Sequence, residues 1–232
     1  MDEGIHYTGK RRKRVKTNTD MIADAYGELV TLTNTYGSRS SKRTDHFHIA
    51  LANIVIKLNP SWTFKNEYPL KTGIGKSGTY KVDIAFFDNT ASLVAVVMVK
   101  CSMNNITQNE SNLEGSKIGE CFKIRMADQR VKIFCFDVVP VRCPYYDKTG
   151  DIVKMEEIDI KREKELCEKW LGEVRRVAPI VDDSFKVYVN NKYMPQKVVE
   201  FEKIEDSTDF DRFVSTMRGL GLPSVKTKVP EC

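Results

Sequence analysis

No stretch of this chain approaches the eighteen or so consecutive apolar residues that a membrane-spanning helix requires; its most apolar run, Leu93 to Val99, has seven. The opening residues, MDEGIHYTGK, have no apolar segment of the kind a secretory signal carries, so no export is expected. Six cysteines (Cys101, Cys121, Cys135, Cys143, Cys167, Cys232) stand apart without a C-x-x-C pair, which argues against a zinc site and fits a reducing compartment. There is no internal repeat and no low-complexity linker. Charge of one sign is not extreme either: 37 basic against 32 acidic residues leave +5, too mild to define a partner by itself. What remains is an intracellular globular protein, expected in the cytoplasm, with no membrane partner.

One concentration stands out. The run KRRKRVK, residues 10–16, places six positive charges in seven positions. It reads first as a solvated arm spanning residues 1–18, and second as a polyanion contact or nuclear-localisation tag. Residues 19–232 are expected to form a single domain, with a core at about 44–140 and an elaboration from 141 onward.

Within that domain, Ile22, Ala25, Leu29 and Leu32 recur at helical steps, so a helix is predicted over 19–36 with Gly37-Ser38 ending it. A second helix has Thr44 as its N-cap, Asp45 in its first turn and Phe47, Leu51, Ile54, Val55 and Leu58 on one face, stopping at Asn59-Pro60. Three strand-like runs follow, Trp62 to Tyr68, Tyr80 to Phe87 and Leu93 to Lys100, and their turn-rich connections predict an antiparallel meander. From Thr107, residues Leu113, Ile118, Cys121, Phe122 and Arg125 fall at helical spacing, and RVKIFCFDVVP reads as a fourth strand. Strands, then a helix, then a strand make an α/β or α+β fold, a central mixed β-sheet flanked by helices. Beyond Pro140 the pattern predicts a hairpin around Lys148-Thr149-Gly150 and a helix over 161–177 with Leu166, Trp170 and Val174 inward. A hairpin-like alternation interrupted by Pro195 and a charged helix from near Asp206 complete the chain.

Gly73, Gly75 and Gly78 spell G-x-G-x-x-G, and Gly75-Lys76-Ser77 looks like the end of a phosphate loop. Context excludes both. A dinucleotide fingerprint opens a helix, whereas these glycines lead into a strand, and a Walker A loop needs glycine at 70, where leucine stands. The loop reads as a hairpin tip whose Lys71 and Lys76 can touch a phosphate backbone.

The run SLVAVVMVKC raises a sharper question, because a buried strand here ends in a fixed positive charge. Strand alternation puts Val94, Val96, Met98 and Lys100 on one face. A meander brings Asp83, framed by Val82 and the apolar 84–87, toward Lys100 at the same end of the ladder. An ionised Asp83 among apolar neighbours is costly without a cation. That cation is either Lys100 alone, in a structural ion pair, or a divalent metal with Lys100 beside it.

The stretch KVDIAFFDNTASLVAVVMVKC resembles the core of the PD-(D/E)XK, or restriction-endonuclease-like, nuclease superfamily. Asp83 matches the family aspartate and Lys100 the lysine of Glu-x-Lys, and the order helix, strand, strand, strand, helix, strand over about 44–140 also matches. Val82 stands for the proline, and Met98 for the glutamate, a thioether where hard Mg²⁺ prefers oxygen. The resemblance implies that the missing carboxylate comes from Glu67 or Glu110, that Met98 was introduced, or that the protein is an inactive binding relative. Glu110 also reads as part of a Thr107-x-x-Glu110 capping box, and Met98 as a plain core residue.

Asp45, His46 and His48 read as packed or exposed helix residues, with metal or substrate contact as the second reading. The resemblance further implies that the carbonyl of Val99 reaches the metal. Asn104, Asn105, Gln108 and Asn109 read either as turn material or as nucleic-acid contacts. Its functional expectation is a Mg²⁺- or Mn²⁺-dependent endonuclease cutting double-stranded DNA, in the manner of a site-specific restriction enzyme acting as a homodimer. A non-cleaving nucleic-acid-binding relative is the rival, and an interaction domain with a mere Asp83–Lys100 ion pair is a third reading.

Overall fold

The computed structural model describes residues 15–37, 42–73, 78–194 and 199–221. Two helices, α1 (Asn18–Tyr36) and α2 (Lys42–Leu58), precede the meander β1 (Thr63–Lys71), β2 (Thr79–Phe87) and β3 (Leu93–Cys101), whose pairings are antiparallel as expected. Helix α3 (Ile106–Ala127) then crosses over, so that β4 (Lys132–Pro140) lies parallel beside β3. After a separate hairpin, β5 (Arg142–Tyr146) with β6 (Ile152–Glu157), helix α4 (Ile160–Val177) brings β7 (Asp183–Tyr193) parallel to β4. Strand β8 (Val199–Asp206) returns antiparallel at the edge, and α5 (Thr208–Leu220) follows. The result is a six-stranded mixed sheet, β1-β2-β3-β4-β7-β8, flanked by helices.

The sheet is buried on both faces, which is why β3 and β4 read as continuous apolar runs. Helices α1, α2 and α5 pack on the side of Ile84, Phe86, Val97, Val99, Phe136 and Phe185. Helices α3 and α4 cover the side of Ala85, Val96, Met98, Ile133 and Cys135. Local signals set the ends of α1: Thr17 and Asp20 form a reciprocal capping box, and Gly37 ends the helix at φ +81°. Helix α2 starts two residues earlier than its predicted cap, so Thr44 lies in the first turn. The glycine-rich segment is a hairpin tip: Thr72 and Gly73 both donate backbone N–H to the Gly78 carbonyl, and a strand follows. Residues Gly75, Lys76 and Ser77 lie outside the described residues, as do Pro195 and residues 10–14 of the basic run. Among the described residues, no helix is long and apolar enough to cross a membrane.

On α4, Trp170 and Val174 pack inward as expected with Leu171 buried beside them, while Leu166 is 42% exposed. On α3, Ile118 and Phe122 are exposed, and only Cys121 and Ile124 of its apolar residues are buried. The reason lies beneath α3. Parallel register sets Lys100 beside Asp137 and Asp137 beside Lys186, a row of alternating charges across β3, β4 and β7. The covering helices answer with the opposite sign: Glu120 of α3 lies 3.0 Å from Lys100, Lys117 of α3 pairs with Asp137, and Glu163 of α4 lies 3.0 Å from Lys186. Lys117 and Asp137 are both buried. Burial works against the Lys117 ammonium, yet the Asp137 carboxylate holds its pKa above the ordinary value.

Candidate metal centre

Strands β2 and β3 pair through Phe87–Leu93, Phe86–Ala95, Ala85–Val96 and Ile84–Val97, and there the ladder ends. Beyond it the Val99 N–H donates to the Asp83 carboxylate at 2.6 Å. A side chain thus occupies the place of a strand partner where two strands part, and this holds Asp83 in the opening. On the other flank, Asn66–Ile84 and Tyr68–Val82 pair, but Glu67 between them adopts a left-handed backbone, φ +48°. That conformation costs a non-glycine residue about 1–2 kcal/mol, so strain is concentrated at the residue facing Asp83. From α2, on the same side of the sheet as Val99, His48 reaches the same spot and is 2% exposed. One ligand atom from each of His48, Glu67 and Asp83 lies within 4.8 Å of the others.

The electrostatics of the cluster suit a cation. Both ring nitrogens of His48 are buried without a hydrogen-bond partner. Burial pushes its pKa down to about 4, with Lys100 and Arg43 adding to the effect, so the ring is neutral and keeps a lone pair to give. Burial raises the Glu67 pKa, and the Asp83 charge raises it further. Burial also raises that of Asp83, against the opposing pull of the Val99 N–H and Lys100. A half-buried carboxylate, Asp83, and a solvent-exposed one, Glu67, beside an unpartnered buried imidazole form a donor set that fits a divalent ion. With one nitrogen among its donors, the set suits Mn²⁺ and later transition ions better than Mg²⁺, which prefers oxygen throughout.

Several expected positions fall elsewhere. The register carries Asp83 level with Met98, not Lys100. Lys100 turns its ammonium to Glu120, at 3.1 Å from Oε1 and 3.0 Å from Oε2, and makes no ion pair with Asp83. It remains near enough to pull on both Asp83 and His48. Met98 is 1% exposed in the apolar cluster with Val96 and Cys135, which matches its reading as a core residue. His46 is exposed and 3.2 Å from Glu28. Helix α3 begins at Ile106 with Asn105 at the N-cap in a left-handed conformation, so the Thr107-x-x-Glu110 capping box is not formed, and the Glu110 side chain lies outside the described residues.

Glu120 is the residue that the sequence reading missed. Its Oε1 also accepts from the Ser116 hydroxyl at 3.0 Å, and its charge adds to burial in raising the Tyr80 phenol pKa. The signal was Ser116-x-x-x-Glu120, a polar pair one turn apart on a helix face assumed to be apolar. Of the residues read as nucleic-acid contacts, Lys71 is exposed at the hairpin end of β1, four residues past Glu67, or about 13 Å along a strand. The Asn105 amide is used within the fold, exchanging hydrogen bonds of 2.8 and 2.9 Å with the Tyr146 backbone and donating to Gln108. The Asn109 amide donates to the Asn105 carbonyl, and Asn104 and Asn109 line an open cleft together with Arg43, Cys101 and Ser102.

No family model, curated protein or solved structure matches the chain.

Proposed function

We propose that this chain is a metal-dependent nuclease with a restriction-endonuclease-like core. The observation that carries the reading is the convergence of His48, Glu67 and Asp83 within 4.8 Å, with both His48 nitrogens unpartnered. The arrangement of Asp83 on the second strand and Lys100 at the end of the third supports the same reading.

A divalent ion bound there supplies Lewis acidity to a phosphoryl oxygen and lowers the pKa of a bound water. The chain's own groups do the rest. Neutral His48 and the two carboxylates hold the ion, with Asp83 fixed by the Val99 N–H. Lys100, aimed by Glu120, which Ser116 holds in turn, contributes a positive charge at the edge of the site toward the oxygens on which charge develops. Glu120 is thus a positioning residue. Duplex DNA cut by a homodimer is the setting the family resemblance implies, by analogy; RNA is a second arm of the assay.

Met98 supports the rival, a binding relative that does not cleave. A glutamate at 98 would lie in an apolar cluster, however, so replacing Met98 with glutamate buries a carboxylate without restoring a ligand. Cleavage by the chain as it stands therefore separates the two readings.

The first measurement is thermal. Mn²⁺ at a hundred times its Kd should stabilise the fold by about 2.7 kcal/mol, with a smaller response to Mg²⁺, and His48→Ala should remove the Mn²⁺ increment. A Tm indifferent to every divalent ion, together with intact plasmid and RNA after incubation, would rule the proposal out. Glu67→Asn gives a test of opposite signs. Asparagine tolerates a left-handed backbone and carries no charge, so the metal-free Tm should hold or rise while the Mn²⁺ increment disappears.

A further inference from the structure

Arg43 lies in the first turn of α2, five residues before His48. Its Nη1 is buried and has no hydrogen-bond partner. The ion pair that α2 makes among the described residues, His46 with Glu28, does not involve it. A desolvated guanidinium N–H without an acceptor costs on the order of 1–3 kcal/mol or more, and folded proteins rarely leave one so without a reason.

Arg43 lines a cleft of about 310 Å³ that opens to solvent. Its polar wall is Ser102, Asn104, Asn109 and Asn112, and among the described residues no acidic side chain lines it. The side chains of Ser102, Asn104 and Asn112 have no hydrogen-bond partner among the described residues. One cation and several neutral donors, with no carboxylate among the described residues, describe a site for an anion that arrives from outside. The cleft starts at Cys101 and shares Ser102 with the neighbouring cleft that Lys100 lines. Ser102 is two residues past Lys100, about 7 Å of extended backbone, which is the scale of one nucleotide step.

We propose that Arg43 and this amide-lined cleft hold a phosphodiester oxyanion next to the one at the metal centre, and so fix the register of a nucleic-acid strand. The assignment of the strand rests on the nuclease reading above. Guanidinium and amide contacts to phosphate carry no base information, so the grip is independent of sequence.

The test is fluorescence anisotropy with labelled oligonucleotides of unrelated sequence, in EDTA, across a salt series. Arg43→Gln should weaken binding about five- to tenfold and flatten the slope of log K against log salt by about 0.7–0.9, equally for all sequences. Arg43→Lys should recover the slope but only part of the affinity, because it keeps the charge and loses the two-pronged fork. The Mn²⁺ increment in Tm should be retained in both, and should be no smaller in Arg43→Gln, which removes a positive charge acting on His48. An unaltered slope in Arg43→Gln overturns the proposal, and so does loss of the Mn²⁺ increment, which would make Arg43 a prop for His48. If the wild type binds no nucleic acid, the nuclease reading falls and inorganic phosphate decides the site. Broadening of the phosphorus resonance by wild type and not by Arg43→Gln keeps an anion site there, whereas equal broadening removes it.

Discussion

Asp83→Asn should lower phosphodiester cleavage roughly a thousandfold or more and leave the fold standing. The asparagine carbonyl can still accept the Val99 N–H that Asp83 accepts at 2.6 Å, so the junction of β2 and β3 keeps its tie. What disappears is the charge. Because burial raises the Asp83 pKa, its ionised form is a cost to the metal-free protein, and the neutral amide relieves it. Metal-free stability should therefore hold or rise while Mn²⁺ affinity and turnover collapse together. The check is a pair of measurements on one preparation, a Mn²⁺ titration by calorimetry and single-turnover cleavage. A variant with more than a tenth of wild-type activity and undiminished Mn²⁺ affinity would take Asp83 out of the site.

The second large effect is on stability. Lys117→Ala should cost about 3–5 kcal/mol, which for a chain of this size lowers Tm by roughly 10 °C. The loss comes less from the missing attraction than from what it leaves behind. Asp137 is 5% exposed and its Oδ1 already lacks a partner, so removing Lys117 strands a charge in the interior. The double change Lys117→Met with Asp137→Leu should recover most of the lost stability, because apolar groups of similar volume need no partner. Chemical denaturation of the three variants measures this. A double variant no more stable than Lys117→Ala would mean that packing, and not a stranded charge, sets the cost.

The meander, the crossover helix and the burial of β3 were legible because each is written in local periodicity and turn composition. Asp83 also stood out, as a carboxylate between apolar neighbours on a strand, whereas Glu67 came only from the family resemblance. His48 was not. It sits beside the apolar stripe of α2 like any packed histidine, and only the docking of that helix over Glu67 and Asp83 sets it apart. The strand neighbour of Lys100 was hidden for another reason. Register between parallel strands is set by the path of the crossover, which no local pattern encodes, so Asp137 beside Lys100 could not be foreseen. The helix α3 was legible from its spacing but its inner face was not, because a stripe of charge has no apolar period and Ile118 and Phe122 keep the spacing while facing solvent. On α4 the spacing placed Trp170 and Val174 inward, as they are, and only Leu166 lies exposed while Leu171 is buried.

The row of charges under α3 and α4 has a further consequence. Each member lies in register beside an opposite sign on the next strand and is ion-paired to the helix above, so a positive group at 100 favours a negative one at 137, which favours a positive one at 186 and, overhead, the signs at 120, 117 and 163. A chemical requirement at one rim of the sheet thereby sets polarity three strands deep. Substitutions in that layer are tolerable only as matched sets, and any redesign of Lys100 has to be carried through to β7.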